Sequence, residues 1–373
     1  SQLAIRAQIS QAMGEGCFSK PLVRPGAMAS RRNSSDAPQG RDVIIVGAGI
    51  AGLACAVKFT SEHLDVIVLE GRDRVGGRML STPEGVDLGP SWIWPGDERV
   101  LSLIKEVKLQ TVPQNGEGGN LPCGPDALRI RGGYAQLPEA LAARLPEGCL
   151  QLGQCVSEIK SENSQVQVRC KSGEEYLTKR VVVAAPPRVV TSSITFTPEL
   201  PKDQARFMAE TPTWAGDWAK IVVTFKRPVW KEAGLSQIAD GRPVSAWWEA
   251  GAGEGGEAFA LGGFAFNRDA AQLARGGVRK QVIAQLVSMF GAAVEQELLE
   301  VHHKGWAQDS FTCPDGTDGT RGDPRRMYGS PLLRRPTAWG VHFAGTEAEV
   351  ESGHVEGALL SAVRACKEVL GRR

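Results

Sequence analysis

The chain has 373 residues, room for two or three domains at ~100–200 residues each. Hydrophobic residues make up 42% and charged residues 23%, which excludes wholesale disorder and a collagen-like repeat. With 43 basic and 42 acidic residues the formal charge is +1, so no nucleic acid is held by bulk electrostatics.

Residues 1–40 carry five Arg or Lys against Glu15 and Asp36, with six serines. This leader is expected to be disordered or to act as an organellar targeting segment. The eight cysteines include no Cys-x-x-Cys, and the five histidines share no metal spacing with them. Reduced thiols and no metal are therefore expected. The longest uncharged apolar stretch, Val43–Val57, is broken by three glycines and falls short of the ~20 residues that span a bilayer. A soluble chain without a transmembrane anchor is expected, in the cytoplasm or an organelle.

Val43–Val46 ends at glycines and reads as a buried parallel strand. A helix over Gly52–Thr60 and a second strand over Val66–Glu70 complete a β-α-β unit. Asp97 is placed to cap a helix whose apolar face is Val100, Leu103, Ile104 and Val107. A loop rich in Gly, Pro and Asn follows from Val112 to Pro125. Strands are expected at Gln165–Cys170, Val181–Ala185 and Ile221–Phe225. Ala246–Trp248 and Phe259–Phe266 flank a Gly-rich turn and suggest a hairpin. Val278, Val282, Leu286, Met289 and Phe290 mark an amphipathic helix. Val341–Ala344 is a last strand and Val355–Leu370 a last helix.

The turn Gly47-Ala48-Gly49-Ile50-Ala51-Gly52 follows a strand and opens a helix. Its first glycine allows a tight turn, its second lets backbone approach a pyrophosphate, and its third lets helix and strand pack closely. The helix N-terminus adds free N–H donors and a partial positive charge. Glu70 ends the second strand, where a carboxylate can accept ribose hydroxyl protons and repels a 2′-phosphate. Gly76-Gly77-Arg78 then offers a second close approach and a bidentate phosphate donor, which a nicotinamide unit has no need for.

Five words in order along the chain carry a resemblance: Val46–Leu53, Leu69–Arg78, Asp87–Ser91, Val181–Pro187, and Phe343–Glu347 with Ser352–Ala358. Together they resemble the flavin-dependent amine oxidases, the family of monoamine and polyamine oxidases. The resemblance implies non-covalent FAD. It places Glu70, Gly71 and Arg72 at the adenosine ribose, Gly77 and Arg78 along the pyrophosphate, and Gly89, Pro90, Ser91 and Trp92 beside the flavin. It places the Val156 backbone at adenine, Trp306 near the flavin, and Gly345, Thr346 and Glu347 by the ribityl and pyrophosphate. The Val355 N–H would meet the flavin's pyrimidine oxygen, where a helix N-terminus stabilises negative charge by ~0.3–1 kcal/mol.

Four positions depart from the family's pattern. The stretch from Ser91 to Gly132-Gly133 lacks a long helical insertion. The stretch Gly263–Asp269, compared with a substrate-domain strand that carries Lys in many members, has none, and Arg268 stands near its place. His354 stands where monoamine oxidases have a cage Tyr, which makes it the substrate-facing candidate. Cys313 sits too close to Trp306 for the flavin-bonding pattern. Trp214, Trp218, Trp247 and Trp248 are expected in the core.

The expected fold is α/β: a Rossmann-type FAD-binding domain interleaved with a smaller sheet-plus-helix substrate domain. The first would take residues 42–95, 145–198 and 300–371, the second 96–144 and 199–299. The expected function is oxidation of a C–H bond next to nitrogen by hydride transfer to flavin N5, on a small-molecule substrate, amines foremost. The alternatives are a desaturase or isomerase of a lipophilic isoprenoid or tetrapyrrole, and a non-catalytic FAD-bound partner protein.

Overall fold

The computed structural model describes residues 39–114, 123–124, 126–232, 241–253, 255, 257–314, 327–350 and 353–372. Strands β1 (Gln39–Val46) and β2 (Val66–Leu69) flank the helix Ile50–Ser61. β3 (Thr111–Pro113) and β4 (Leu128–Ile130) form a small antiparallel pair. β5 (Leu150–Gln151), β6 (Val156–Glu162), β7 (Gln165–Cys170), β8 (Glu175–Val183) and β9 (Thr195–Thr197) follow. β10 (Trp218–Phe225), β11 (Ala246–Ala252), β12 (Phe259–Phe266), β13 (Leu298–Gly305) and β14 (Val341–Phe343) complete the strands among the described residues.

The first sheet has the order β5-β2-β1-β8-β7-β6-β9, and β14 also pairs with β8. β1 runs parallel to both β2 and β8. Apolar side chains on both faces of Val43–Val46 and Val66–Leu69 explain why these strands are central. β8 is longer than its expected stretch because its far edge serves two partners. Glu175–Thr178 pair with β7 and Val181–Val183 with β14. One face of this sheet is covered by the helices Ile50–Ser61 and Val355–Leu370.

The second sheet is antiparallel, with the order β11-β12-β10-β13. Alternation along β10 sends Ala219, Ile221, Val223 and Phe225 into a core shared with the helices Asn267–Ala274 and Val278–Phe290. Each fully buried Val or Leu there contributes ~1.5–3 kcal/mol relative to exposure. The opposite face of β10 presents Lys220 and Val222, and Val222 packs against Val86 and Leu88. Alternation in β10 therefore aims Lys220 at the first sheet's loops.

Three features of the structure lie across the expected domain limits. β1 begins at Gln39, inside the expected leader, the rest of which lies outside the described residues. Val100, Leu103, Ile104, Ile130, Leu137 and Leu141, all within 96–144, pack in the core of β1 and its helix. β13 pairs wholly with β10, so the second sheet runs on to Gly305. Among the described residues no helix is long and apolar enough to cross a membrane.

Candidate active site

One cavity of about 780 Å³ runs between the two sheets. It is lined by the expected flavin-binding residues except Ala48 and Gly52, which serve from behind. Gly47 has φ +103°, a conformation open to glycine, and a Cβ there would meet the Ala184 carbonyl at 2.8 Å. A Cβ on Gly52 would stand 2.0 Å from the Gly47 carbonyl oxygen, so the third glycine is required for packing. A Cβ on Gly49 would meet nothing within 4 Å. The space in front of it is open.

Glu70 is buried at the end of β2. Its Oε2 accepts from Ala48 N at 2.7 Å, and its Oε1 from Arg72 N at 3.0 Å. Two backbone donors thus fix the carboxylate while leaving acceptor capacity. Arg72 is tied to Glu70 and, at 2.7 Å, to Asp309, with Phe311 beneath its guanidinium. Val156 opens β6 on the same wall.

Arg78 does not offer its fork to the cavity. Nη1 and Nη2 donate to the two carboxylate oxygens of Glu347 at 2.8 and 3.1 Å. Burial alone would lower the Arg78 pKa, but the Glu347 charge and hydrogen bonds outweigh it and hold the guanidinium above its ordinary range. Thr346 Oγ1 donates to the His354 carbonyl and accepts from Gly353 N, both at 2.8 Å. These polar atoms brace the turn before the last helix. Trp306 lines the cavity, and its Nε1 donates to the Leu88 carbonyl at 3.3 Å.

The helices Ile50–Ser61 and Val355–Leu370 both begin on this cavity, at Gly49 and His354, and neither N-terminus is closed by a capping side chain. Two such ends in one cavity offer N–H donors and partial positive charge to two separate anionic groups. A dinucleotide with a pyrophosphate and an electron-rich ring fits that pair.

The stretch Gly263–Asp269 carries no lysine, but β10 beside it does. Lys220, on β10, is buried and lines the cavity. Its Nζ donates to the Gly89 carbonyl at 2.8 Å and to Ser91 Oγ, and lies over Trp248 and Phe264. Burial pushes its pKa down to about 8, with the Asp87 charge pulling the other way. Asp87 is pushed up to about 6 by its own burial, which Lys220, the Tyr134 N–H and Ser81 oppose. Its Oδ1 accepts from Ser81 Oγ and Tyr134 N, both at 2.7 Å. Arg268 is exposed at the start of the helix Asn267–Ala274, outside the cavity lining.

Trp214 and Trp218 line the cavity, contrary to expectation, together with Trp94, Phe264 and Phe266. Trp247 is in the core of the second sheet, as expected. His354 is exposed on the cavity wall and faces two rings. Trp94 stacks on it at 4.9 Å and 19°, and Trp214 meets it edge-on at 5.8 Å. The surrounding protein lowers its pKa through desolvation, against a smaller opposing pull from Asp97. Cys313 is buried and absent from the cavity lining, between Thr312 and Pro314, which line it.

The family model for flavin containing amine oxidoreductase matches residues 50–122 and 115–370. The chain belongs to the flavin-containing amine oxidoreductases. It is 23% identical to the flavin-containing amine oxidase A of Bos taurus, over 92% of this chain and 87% of that protein. It is 25% identical to a putative flavin-containing monoamine oxidase of Mycobacterium tuberculosis, over 92% and 99%. The alignment with the bovine protein runs to 468 positions, more than this chain's 373 residues, so that relative carries segments this chain lacks. A solved putrescine oxidase with bound putrescine superposes with TM-score 0.76 at 19% identity, over 90% of this chain and all of that one. The α/β fold is that of these FAD-dependent oxidases. The family member described here is an FAD-dependent, amine-oxidase-like oxidoreductase. The Gly49 opening, the two uncapped helices and the Glu70 carboxylate fit that cofactor.

Proposed function

We propose that this enzyme oxidises a small amine at a C–H bond next to nitrogen, with FAD held non-covalently along the cavity. The observation that carries this reading is Lys220, buried in the second sheet and aimed at the Gly89–Ser91 loop in the cavity that the glycine turn opens. When bound, FAD supplies a two-electron acceptor that takes hydride at N5, and the imine product hydrolyses in water.

The chain's own work is to hold, orient and exclude. Gly47, Gly49 and the helix Ile50–Ser61 would take the pyrophosphate, and Glu70 the ribose hydroxyls. The N-terminus of Val355–Leu370 would stabilise negative charge on the ring. Lys220 keeps its third proton below a pH of about 8 and releases it above, so Nζ can give or take a proton beside Ser91. The aromatic walls exclude water and favour an apolar body with a cationic or neutral nitrogen. Orientation and proton transfer by Lys220 together supply the protein's share of the acceleration.

The test is anaerobic mixing of the FAD-loaded protein with monoamines and diamines while following flavin absorbance. Bleaching by at least one amine class is expected. A flavin that none of them bleaches would overturn the proposal.

A further inference from the structure

The residues around His354 carry more than a wall. Trp94 stands on the loop before the helix Glu98–Glu106, and His354 caps the last helix. Trp94 is held at both ends: Nε1 donates to the Cys123 carbonyl at 2.8 Å, and its backbone N to Asp97 Oδ2 at 3.0 Å. Trp214 is braced by its backbone, with N donating to Glu347 at 3.3 Å and O accepting from Arg78 at 3.2 Å. Gly353 lies against the Trp214 ring, where a Cβ would be 2.6 Å away.

The two supporting elements are locked together behind these rings. Glu356 is buried, and its carboxylate accepts from Arg99 N at 3.0 Å, Val100 N at 3.0 Å and Arg99 Nη1 at 2.8 Å. The first turn of the last helix thereby closes the N-terminus of the helix Glu98–Glu106. This tie joins the segment that carries Trp94 to the turn that carries His354.

We infer that Trp94 is a positioning residue for His354 and that the two stacked rings together select the substrate. The inference rests on the amine-oxidising reading of the cavity. The selected class is amines that lack a carboxylate. Near this wall the cationic lining side chains are engaged: Arg78 by Glu347, and Lys220 by Gly89 and Ser91. Among the described residues neither of these cations stands against the stacked ring pair, and Asp97 on the Trp94 loop would repel a substrate carboxylate. Among the described residues, the charged groups around His354 are Asp97, the Arg78–Glu347 pair behind Trp214, and the Arg99–Glu356 pair at the next turn. Trp94 keeps solvent from one face of the imidazole, which favours the neutral ring and spares a cationic amine from repulsion.

Two measurements on the FAD-loaded protein test this. The first is an NMR titration of His354, assigned by its loss in His354→Gln. The imidazole is expected to titrate below the ordinary ~6.5 in the wild type, to move upward in Trp94→Ala, and to stay low in Trp94→Phe. The second is flavin reduction by 2-phenylethylamine and by L-phenylalanine. The amine is expected to be preferred by ~100-fold or more. Trp94→Ala should raise its KM by about tenfold, more than it lowers kcat, the worth of one aromatic contact. In a His354→Gln background the Trp94 change should lose its pH dependence. Trp94→Leu replaces Trp94→Ala should the latter not fold. An unmoved titration, or a Trp94 effect equal with and without His354, would overturn the coupling. A preference for the amino acid would overturn the substrate class. A wild type that no amine reduces would sink the functional reading, while the titration would still decide the coupling.

Discussion

The two ends of the cavity are built by different means. The glycine-turn end is made by one β-α-β unit, and its chemistry is largely backbone: Gly47, Gly49, the Ala48 N–H and the start of the helix Ile50–Ser61, with Glu70 as the one essential side chain. The ring-walled end gathers Trp94, Trp214, Lys220 and His354 from three separate stretches, and side chains carry its chemistry alongside the N-terminus of Val355–Leu370. A backbone site tolerates little change and binds one kind of ligand. A side-chain site can be re-tuned residue by residue on an unchanged frame.

The largest effect should break the first end outright. Gly52→Val puts a Cβ 2.0 Å from the Gly47 carbonyl oxygen, with no flexible neighbour to yield. The purified variant should carry no yellow colour, and reconstitution with FAD should fail while the second sheet's packing is untouched. Next comes Lys220→Met at the other end. Flavin reduction should slow by ~10²–10⁴-fold, the usual range for a lost proton-transfer group, while FAD content measured from the absorbance ratio stays at the wild-type level. A wild-type rate that rises through a pH of about 8 and a flat profile in the variant would tie that limb to Lys220.

Glu70→Ala should weaken FAD by ~1.5–3 kcal/mol, the worth of a charged hydrogen bond, read by equilibrium titration of the apoprotein. Asp87→Asn gives a smaller, directional effect. The Asp87 charge raises the Lys220 pKa, so its removal should move the alkaline limb to lower pH. The smallest expected effect is none. Acid precipitation should release all flavin colour from wild type and from Cys313→Ser alike, because Cys313 is buried outside the lining. Colour retained in the wild-type pellet alone would place a covalent bond there.

The contrast also explains what could be seen in the sequence. Gly47–Gly52 and Glu70 lie in one short stretch, so spacing alone announces them, and both strands and the helix form there. Val355–Leu370 was equally legible from its apolar face. Lys220 was missed because the expected strand began at Ile221, one residue too late. The signal was present: Ala219, Ile221 and Val223 share a face, which puts Lys220 on the other. β13 escaped notice because Leu298–Gly305 mixes charged and half-buried residues with no clean alternation. Trp94 had no sequence signal at all. Its meaning depends on a residue 260 positions away that only the folded chain brings to 4.9 Å.

The placement of β14 has a consequence for how the protein comes into being. β14 adds to the edge of β8, and the helix after it lies on Ile50–Ser61, so a stretch made late, Val341–Leu370, completes the wall that Gln39–Val46 begins. Until then the cofactor cleft lacks a side, and the apolar face of Ile50–Ser61 is covered only in part, by the helix Gln136–Ala142. Loading must therefore follow synthesis, and the half-made chain exposes a sticky surface during the interval.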